Sequence, residues 1–469
     1  MSDIKKDNKS TRYLLIIYIF LFLFLSMAAY LCYFLLAKSD KFVNNAYNPR
    51  MTNLEKNVVR GDIKASDGTI LATTETDEAG NNTRSYPQGE IFSHVVGYTN
   101  KGMSGIEMYD NSLLLTSHEF ITNRVKNDVS GVKNQGDNLI TTLDPALQRT
   151  AYNAITTKKG AAVVIDADTG KILAEVSKPS FNPNTISEDW NTLSSGNDSV
   201  LLNRATQGLY PPGSTFKIIT ALSYLRDGGS INDTFDCNGQ YTVGNYTVHC
   251  AYNESHGHQT LEHAFANSCN VGFSKIGLDL SEGRLRDTAE DFLMNKSIKT
   301  DQSIAKSRFL LGDREGKAQI MATSFGQGKT LVTPMEMCLI SATVANNGTM
   351  MKPYLIDRIE NASGDTVSTT SPKELRDIMS SDEVSTMKTL MRSVVTQGTA
   401  RSAFRRATNF EAYGKTGTAE FNSSKDTHSW FTGFGTDGDR TIAVCVILED
   451  TKLYASNSAY QIMSAYFNN

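Results

Sequence analysis

Proline is scarce in this sequence, ten in 469 residues, and the 34 glycines fall into no repeat, so a collagen-like or low-complexity chain is excluded. An excess of basic charge is also missing. Lys and Arg number 46 against 50 Asp and Glu, a formal net charge of -4, and no nucleic-acid partner is expected. The six cysteines (Cys32, Cys237, Cys250, Cys269, Cys338 and Cys445) include no CxxC pair, and no Cys/His cluster has the spacing of a zinc site. Four of the seven histidines, His249, His256, His258 and His263, lie in or beside "HCAYNESHGHQT", which reads as a glycine-containing surface loop. No metal and no other cofactor is expected. After the N-terminal region there is no second long hydrophobic run.

That N-terminal run, Tyr13 to Ala37, is uncharged throughout and longer than the roughly 20 residues that cross a bilayer. No small-x-small cleavage site follows it, so it reads as a retained anchor. Lys5, Lys6, Lys9 and Arg12 precede it, which favours a cytoplasmic N-terminus, a single pass, and the rest of the chain outside the cell. The expected organisation is a tail over 1–12, the anchor over 13–37, a small β-rich pedestal over 38–136 and a large domain over 137–469.

The large domain has the texture of an α+β fold. Asp144 and Pro145 cap a helix with an apolar stripe of Leu147, Ala151 and Ile155. "GAAVVIDADTGKILAEVS" and "SWFTGFGTDGDRTIAVCVILED" each read as a hairpin, and "TIAVCVIL" is apolar on both faces. An antiparallel sheet built from both ends of the domain, with helices on both faces and a final helix near Asn457 to Phe467, satisfies these patterns. In the pedestal, "RGDIKASDGTILATT" reads as strand, Asp-Gly turn, strand, and "SYPQGEIFSHVVGYTNKGMSGIEMYDNSLL" as further short strands with glycine turns. Cys237 and Cys250 flank two short β-like runs around Gly244, and outside the membrane they are positioned to form a disulfide.

Three short motifs carry chemistry. In "YPPGSTFKIITALSYL", Ser214 and Lys217 stand three apart at a helix start and share one face. Alone, the pair reads more simply as an N-cap and a lysine reaching for water. "SCN", Ser268 to Asn270, follows a helical run and taken singly is only a turn. "YGKTGTAE" is sharper: Lys415, Thr416, Gly417 and Thr418 place a cation, two hydroxyls and a glycine just before the last hairpin, where Gly417 suits a ligand backbone lying against a strand. Found together and in this order, S-x-x-K, S-x-N and K-T-G are the signature of active-site serine penicillin-recognising enzymes. Cys269 stands where that signature has Asp.

The chain resembles a class B penicillin-binding protein, a membrane-anchored peptidoglycan D,D-transpeptidase. The resemblance extends through "RGDI", "GYTNKGMSGIE", "TLDPALQ", "IDADTGKILA", "LYPPGSTFK", "SFGQGKTLVTPMEM", "ANNGTMMKP" and "HSWFTGF". It implies the penicillin-binding transpeptidase fold, about five antiparallel strands between helices. It further implies Ser214 as nucleophile, Lys217 as its base and Ser268 as proton carrier to the leaving D-alanine. Asn270 would hold the peptide amide of a peptidoglycan stem peptide. Lys415, Thr416, Gly417 and Thr418 would line the place of its terminal carboxylate, with backbone N–H groups of Ser214 and Thr418 as oxyanion donors. β-Lactams would be acylating ligands and a SEDS-type glycan polymerase a partner. A D,D-carboxypeptidase or β-lactamase on the same fold, or a β-lactam sensor, are the alternatives. A retained anchor with a β-rich segment after it argues against a free β-lactamase, and a single span argues against a sensor.

Overall fold

The computed structural model describes residues 8–37, 54–312, 315–420 and 427–468. The N-terminal run is one helix, α1 (Asn8–Ala37), whose segment Tyr13–Leu36 has mean hydropathy 2.6 and exposed side chains. At about 1.5 Å per residue such a helix spans a hydrocarbon core of about 30 Å. Among the described residues it is the one helix long and apolar enough to cross a membrane.

The large domain is organised as its patterns imply. Helix α2 (Pro145–Ala154) starts where Asp144 accepts the N–H groups of Ala146 and Leu147 at 2.8 and 2.9 Å, satisfying two of the open first-turn donors. Strands β1 (Gly160–Asp166) and β2 (Ile172–Lys178) form the first hairpin. Between the two halves of the sheet come α3 (Lys217–Arg226), α4 (Asn270–Asp279), α5 (Pro334–Ala345) and α6 (Ser381–Thr396). Strands β3 (Glu411–Glu420), β4 (Thr427–Thr436) and β5 (Thr441–Thr451) follow, and α7 (Ala455–Phe467) ends the chain's secondary structure. The sheet order is β3-β4-β5-β1-β2, antiparallel throughout, so strands from the two ends of the domain meet at β5 and β1, with Val444 opposite Val164.

Burial explains the apolar composition of β5. Ile442 to Leu448 are buried on both faces because α5, itself buried along its whole length, covers one side while α7 covers the other, with α2 packed against α7 and β2. Trp430 on β4 is 1% exposed, and its indole N–H donates to Pro211 O at 3.1 Å, which ties the sheet to the segment preceding Ser214.

The N-terminal part departs from expectation in two ways. The Asp-Gly turn forms, with Gly68 at φ 86°. However, "SYPQGEIFSHVVGYTNKGMSGIEMYDNSLL" makes short helical turns, Gly89–Phe92, Ser93–Val96, Gly105–Tyr109 and Asn111–Leu114, rather than further strands. Buried Phe92, Val95 and Val96 have the i, i+3, i+4 spacing of a helix face. Gly97 and Gly105 bring two of the turns together, and a Cβ on Gly97 would lie 1.8 Å from Ser104 O. Secondly, the sheet here is not confined to its own segment. Strands Ile63–Lys64, Ile70–Thr76 and Asn82–Ser85 are extended by Asn138–Thr141 and then by Ile356–Glu360 and Thr366–Thr369, so one six-stranded sheet draws on distant parts of the chain. Glu107, fully buried, links its helical turn to that sheet by accepting from Arg60 at 2.6 Å and Arg84 at 2.7 Å. Burial alone would raise the Glu107 carboxyl, but the two guanidiniums outweigh it and hold it below its ordinary value.

Candidate active site

The chain enters α3 through a tight 3-10 turn, Gly213–Phe216, preceded by Pro211 and Pro212. Gly213 adopts φ 53°, its N–H donates to Gly326 O at 3.0 Å, and a Cβ there would stand 2.5 Å from Thr418 O. The turn is thereby wedged against β3, the edge strand of the sheet. Ser214 is half-buried on its outer surface, whereas Lys217, one turn on, is completely buried.

Lys217 Nζ lies 3.1 Å from Ser214 Oγ and 3.2 Å from Ser268 Oγ, and donates to Ser268 O at 2.7 Å and Asn270 Oδ1 at 2.8 Å. A second buried ammonium, Lys415 on β3, reaches the same hydroxyl, with Nζ 2.9 Å from Ser268 Oγ. Burial pushes Lys217 down to about 7. Lys415 is also driven well below its ordinary range, first by burial and then by the charge of Lys217. Ser268 has φ 56°, a left-handed conformation uncommon for a residue with a Cβ, held where the helix Leu261–Ala266 ends and α4 begins. This conformation turns its hydroxyl between the two lysines. Asn270 also donates through Nδ2 to His249 O at 2.9 Å. Each end of its amide retains one further hydrogen-bonding position.

Thr416 is half-buried and hydrogen-bonded to Thr399, hydroxyl to hydroxyl, at 2.5 Å. Thr418 is exposed on the same strand. Thr399 drew no attention in the sequence because it lies in an ordinary connection between the helices Ser381–Thr396 and Arg401–Phe404. Gly417 behaves differently from expectation. A Cβ there would meet Thr215 Cγ2 at 2.9 Å and Pro212 O at 3.1 Å, so the glycine makes room for the turn that carries Ser214 rather than for a ligand. The alternation of a strand accounts for this, since Gly417 faces opposite to its neighbours Thr416 and Thr418.

The expected Cys237–Cys250 disulfide is not formed. Both are free thiols with Sγ atoms 3.6 Å apart, against about 2.05 Å for a bond. Cys250 is drawn equally towards a third thiol, Cys269, at 3.8 Å, while His256 Nδ1 lies 3.4 Å from Cys237 Sγ. The flanking β-like runs do pair as read, Gln240–Val243 with Tyr246–His249. The loop histidines part ways: His249, His258 and His263 are exposed, and His256 turns inward.

A helix-borne lysine and a strand-borne lysine around a serine on a helix-opening turn define a serine acyl-transfer enzyme. Comparison with known proteins specifies the family. Residues 160–468 match the Penicillin binding protein transpeptidase domain, and residues 60–139 match the Penicillin binding protein A dimerisation domain. The chain belongs to the penicillin-binding protein transpeptidase family. It is 30% identical over 433 residues to the peptidoglycan D,D-transpeptidase PbpA of Mycolicibacterium smegmatis, covering 86% of each chain. Among solved structures it resembles the imipenem acyl-enzyme complex of penicillin-binding protein A from M. tuberculosis, with TM-score 0.80, 27% identity, and 88% of this chain and 99% of that one covered. It is similarly close to the D,D-transpeptidase domain of a peptidoglycan glycosyltransferase from Eggerthella lenta, with TM-score 0.80, 29% identity, and again 88% and 99% covered.

The packing of Gly417 is testable. Gly417→Ala forces Thr215 and Pro212 outward, costing about 1–3 kcal/mol by overpacking. Displacing the Ser214 turn should slow acylation by labelled penicillin up to about 10²-fold. Thermal unfolding and the rate of label uptake read the two effects, and an alanine variant with wild-type labelling would show that the turn does not depend on this contact.

Proposed function

We propose that the protein is a membrane-anchored peptidoglycan D,D-transpeptidase that works through an ester on Ser214. The observation that supports this most directly is Lys217 Nζ, excluded from water and 3.1 Å from Ser214 Oγ. The names borne by its relatives support the substrate, a stem peptide ending in D-alanyl-D-alanine.

In this reading, neutral Lys217 takes the Ser214 hydroxyl proton as Oγ attacks the carbonyl carbon between the two D-alanines. Charge building on the carbonyl oxygen is met by the N–H groups of Ser214 and Thr418. The proton passes through Ser268 Oγ to the nitrogen of the departing D-alanine, leaving an acyl ester. An amine from a neighbouring stem peptide then attacks that ester, its proton returns to Ser214 Oγ, and the cross-link is released. Asn270 holds the peptide amide through its remaining hydrogen-bonding positions. The terminal carboxylate is received by Thr416 and Thr418, with Lys415 behind them. An arriving anion raises the pKa of Lys415, so substrate binding itself restores the charge that burial removes. A β-lactam acylates the same serine, but its leaving group stays tethered and the adduct persists.

Three outcomes follow for labelled penicillin. Ser214→Ala takes up no label. Lys217→Arg acylates at least about 10²-fold more slowly, since a guanidinium does not release its proton near neutral pH. In the wild type the acylation rate rises with pH up to about 7 and then levels, because only the deprotonated lysine is a base and its pKa lies there. The same depressed pKa makes the folded state bind fewer protons than the unfolded chain above that pH, so Lys217 costs stability below about 7 and less as pH rises towards its unfolded value. A Lys217→Arg protein acylating at the wild-type rate would move the base elsewhere.

The anchor and the expected charge bias around it support a single pass with residues 54–468 outside the cytoplasm. Protease added to wall-stripped cells should digest the large domain, and full protection would reverse the orientation. A transpeptidase domain does not itself extend glycan strands and needs nascent glycan nearby, which supports a SEDS-type polymerase bound through residues 13–136. Exchange of that region for an unrelated anchor should abolish the complex in co-purification, and an intact complex would remove the proposal.

A further inference from the structure

Three thiols and an imidazole converge beside the active site from four separate segments. Cys237 ends the strand Thr234–Cys237, Cys250 follows the strand Tyr246–His249, His256 precedes the strand Gly257–Thr260, and Cys269 caps α4. Their donor atoms all lie within 4.8 Å of one another, and the three cysteines are buried. We propose that Cys237, Cys250, His256 and Cys269 bind one zinc ion, and that this ion pins the Ser268–Asn270 turn between Lys217 and Lys415.

Geometry carries the first half. With Zn–S about 2.3 Å and Zn–N about 2.05 Å, tetrahedral bonding sets S···S edges of about 3.8 Å and S···N edges of about 3.5 Å. The separations here are 3.6 Å (Cys237 to Cys250), 3.8 Å (Cys250 to Cys269) and 3.4 Å (Cys237 to His256 Nδ1). They match three of the six edges of a tetrahedron sized for zinc, the other three staying within 4.8 Å, and the sulfur–sulfur separations are too long for a bond. Three thiolates and one imidazole are a donor set that selects zinc over oxygen-seeking cations. The surroundings are those of an oriented ligand shell. Gly272 N–H donates to Cys269 Sγ at 3.2 Å, Ser255 Oγ donates to Cys237 O at 2.9 Å, and Cys250 N–H donates to Gly239 O at 2.9 Å. Binding releases three thiol protons, and the charges of one Zn²⁺ and three thiolates sum to a single negative charge.

The second half follows from where Cys269 stands in the chain. It lies between Ser268, whose left-handed backbone sets its hydroxyl between two ammoniums, and Asn270, which accepts from Lys217. Anchoring its sulfur to segments on three sides holds that backbone conformation. Cys269 is thus a positioning residue, acting through its neighbours. This half rests on the acylation reading given above, whereas metal content does not.

The test uses the full-length chain purified in detergent without a metal-binding tag or chelator. Elemental analysis should find close to one zinc per chain. Cobalt substitution should give the visible bands of a tetrahedral site together with thiolate-to-cobalt charge transfer. Cys237→Ser and His256→Ala should each lose most of the metal, while Cys32→Ser, in the anchor, keeps it. Because a ligand variant can fail to fold, the wild type is also stripped with a chelator. Three thiols should then become alkylatable, and penicillin acylation should slow by about tenfold or more and recover on adding zinc. Protein expressed in zinc-replete medium that carries no metal, a mapped Cys237–Cys250 disulfide, or zinc content indifferent to both ligand variants would overturn the site. Bound zinc whose removal leaves acylation unchanged would overturn the positioning role. Zinc-loaded wild type that never acylates would instead sink the transpeptidase reading and leave the metal centre standing.

Discussion

Two lysine side chains taken out of water around one serine hydroxyl are the constraint from which the rest of the site follows. Removing an ammonium from solvent costs several kcal/mol unless it is neutralised or well partnered. Lys217 is held at that cost by the carbonyl of Ser268 and the amide of Asn270. Burial displaces the proton of Lys217 and leaves a base next to Ser214 at neutral pH, while Lys415 is lowered by burial and by the charge of Lys217. A more solvated lysine would hold its proton. The left-handed turn at Ser268 is a local strain and the wedged turn at Gly213 a close approach that only glycine permits, and both serve this one arrangement.

Much of this was legible in the chain because it is local. Ser214 and Lys217 share a helix face by spacing alone, and Lys415 to Thr418 stand out by composition. What the spacing did not show is that burial sets the pKa of Lys217, whereas Lys415 is lowered by burial and then by the charge of Lys217. Gly417 was assigned to the wrong neighbour, since the face a strand residue presents is set by register against Trp430 and not by its own identity. The Cys/His convergence was illegible for a deeper reason. Its members are brought together by two short ribbons and a helix start, and no pair has the short spacing by which a metal site announces itself. Cys237 and Cys250 were seen as a pair because they flank two short β-like runs around Gly244.

The fold divides along the same line. Asp-Gly and Thr-Gly turns between alternating or apolar runs specify both hairpins of the central sheet, and the uniform apolarity of Ile442 to Leu448 implies the covering helices. The segment around Val95 and Ile106 resisted reading because helical turns of four or five residues have no stability of their own and exist by packing on the sheet beneath. Glycine, which suggested strand turns there, instead permits close backbone contact between those helical turns.

The six-stranded sheet has a consequence for the order in which the protein takes shape. As the chain is synthesised, the strands between Ile63 and Thr141 arrive early, but the next strand, Ile356–Glu360, lies beyond the serine turn, the cysteine ribbons and α5. Until then Asn138–Thr141 presents an open edge with unpaired backbone groups, a template for association with other chains. Completion therefore waits on a loop closure of high contact order, and the early segment cannot mature as an independent module. Retention of the nascent chain at the membrane by α1 limits how many such edges meet during that interval. The anchor then protects the protein during its own biogenesis, before any cell-wall chemistry begins.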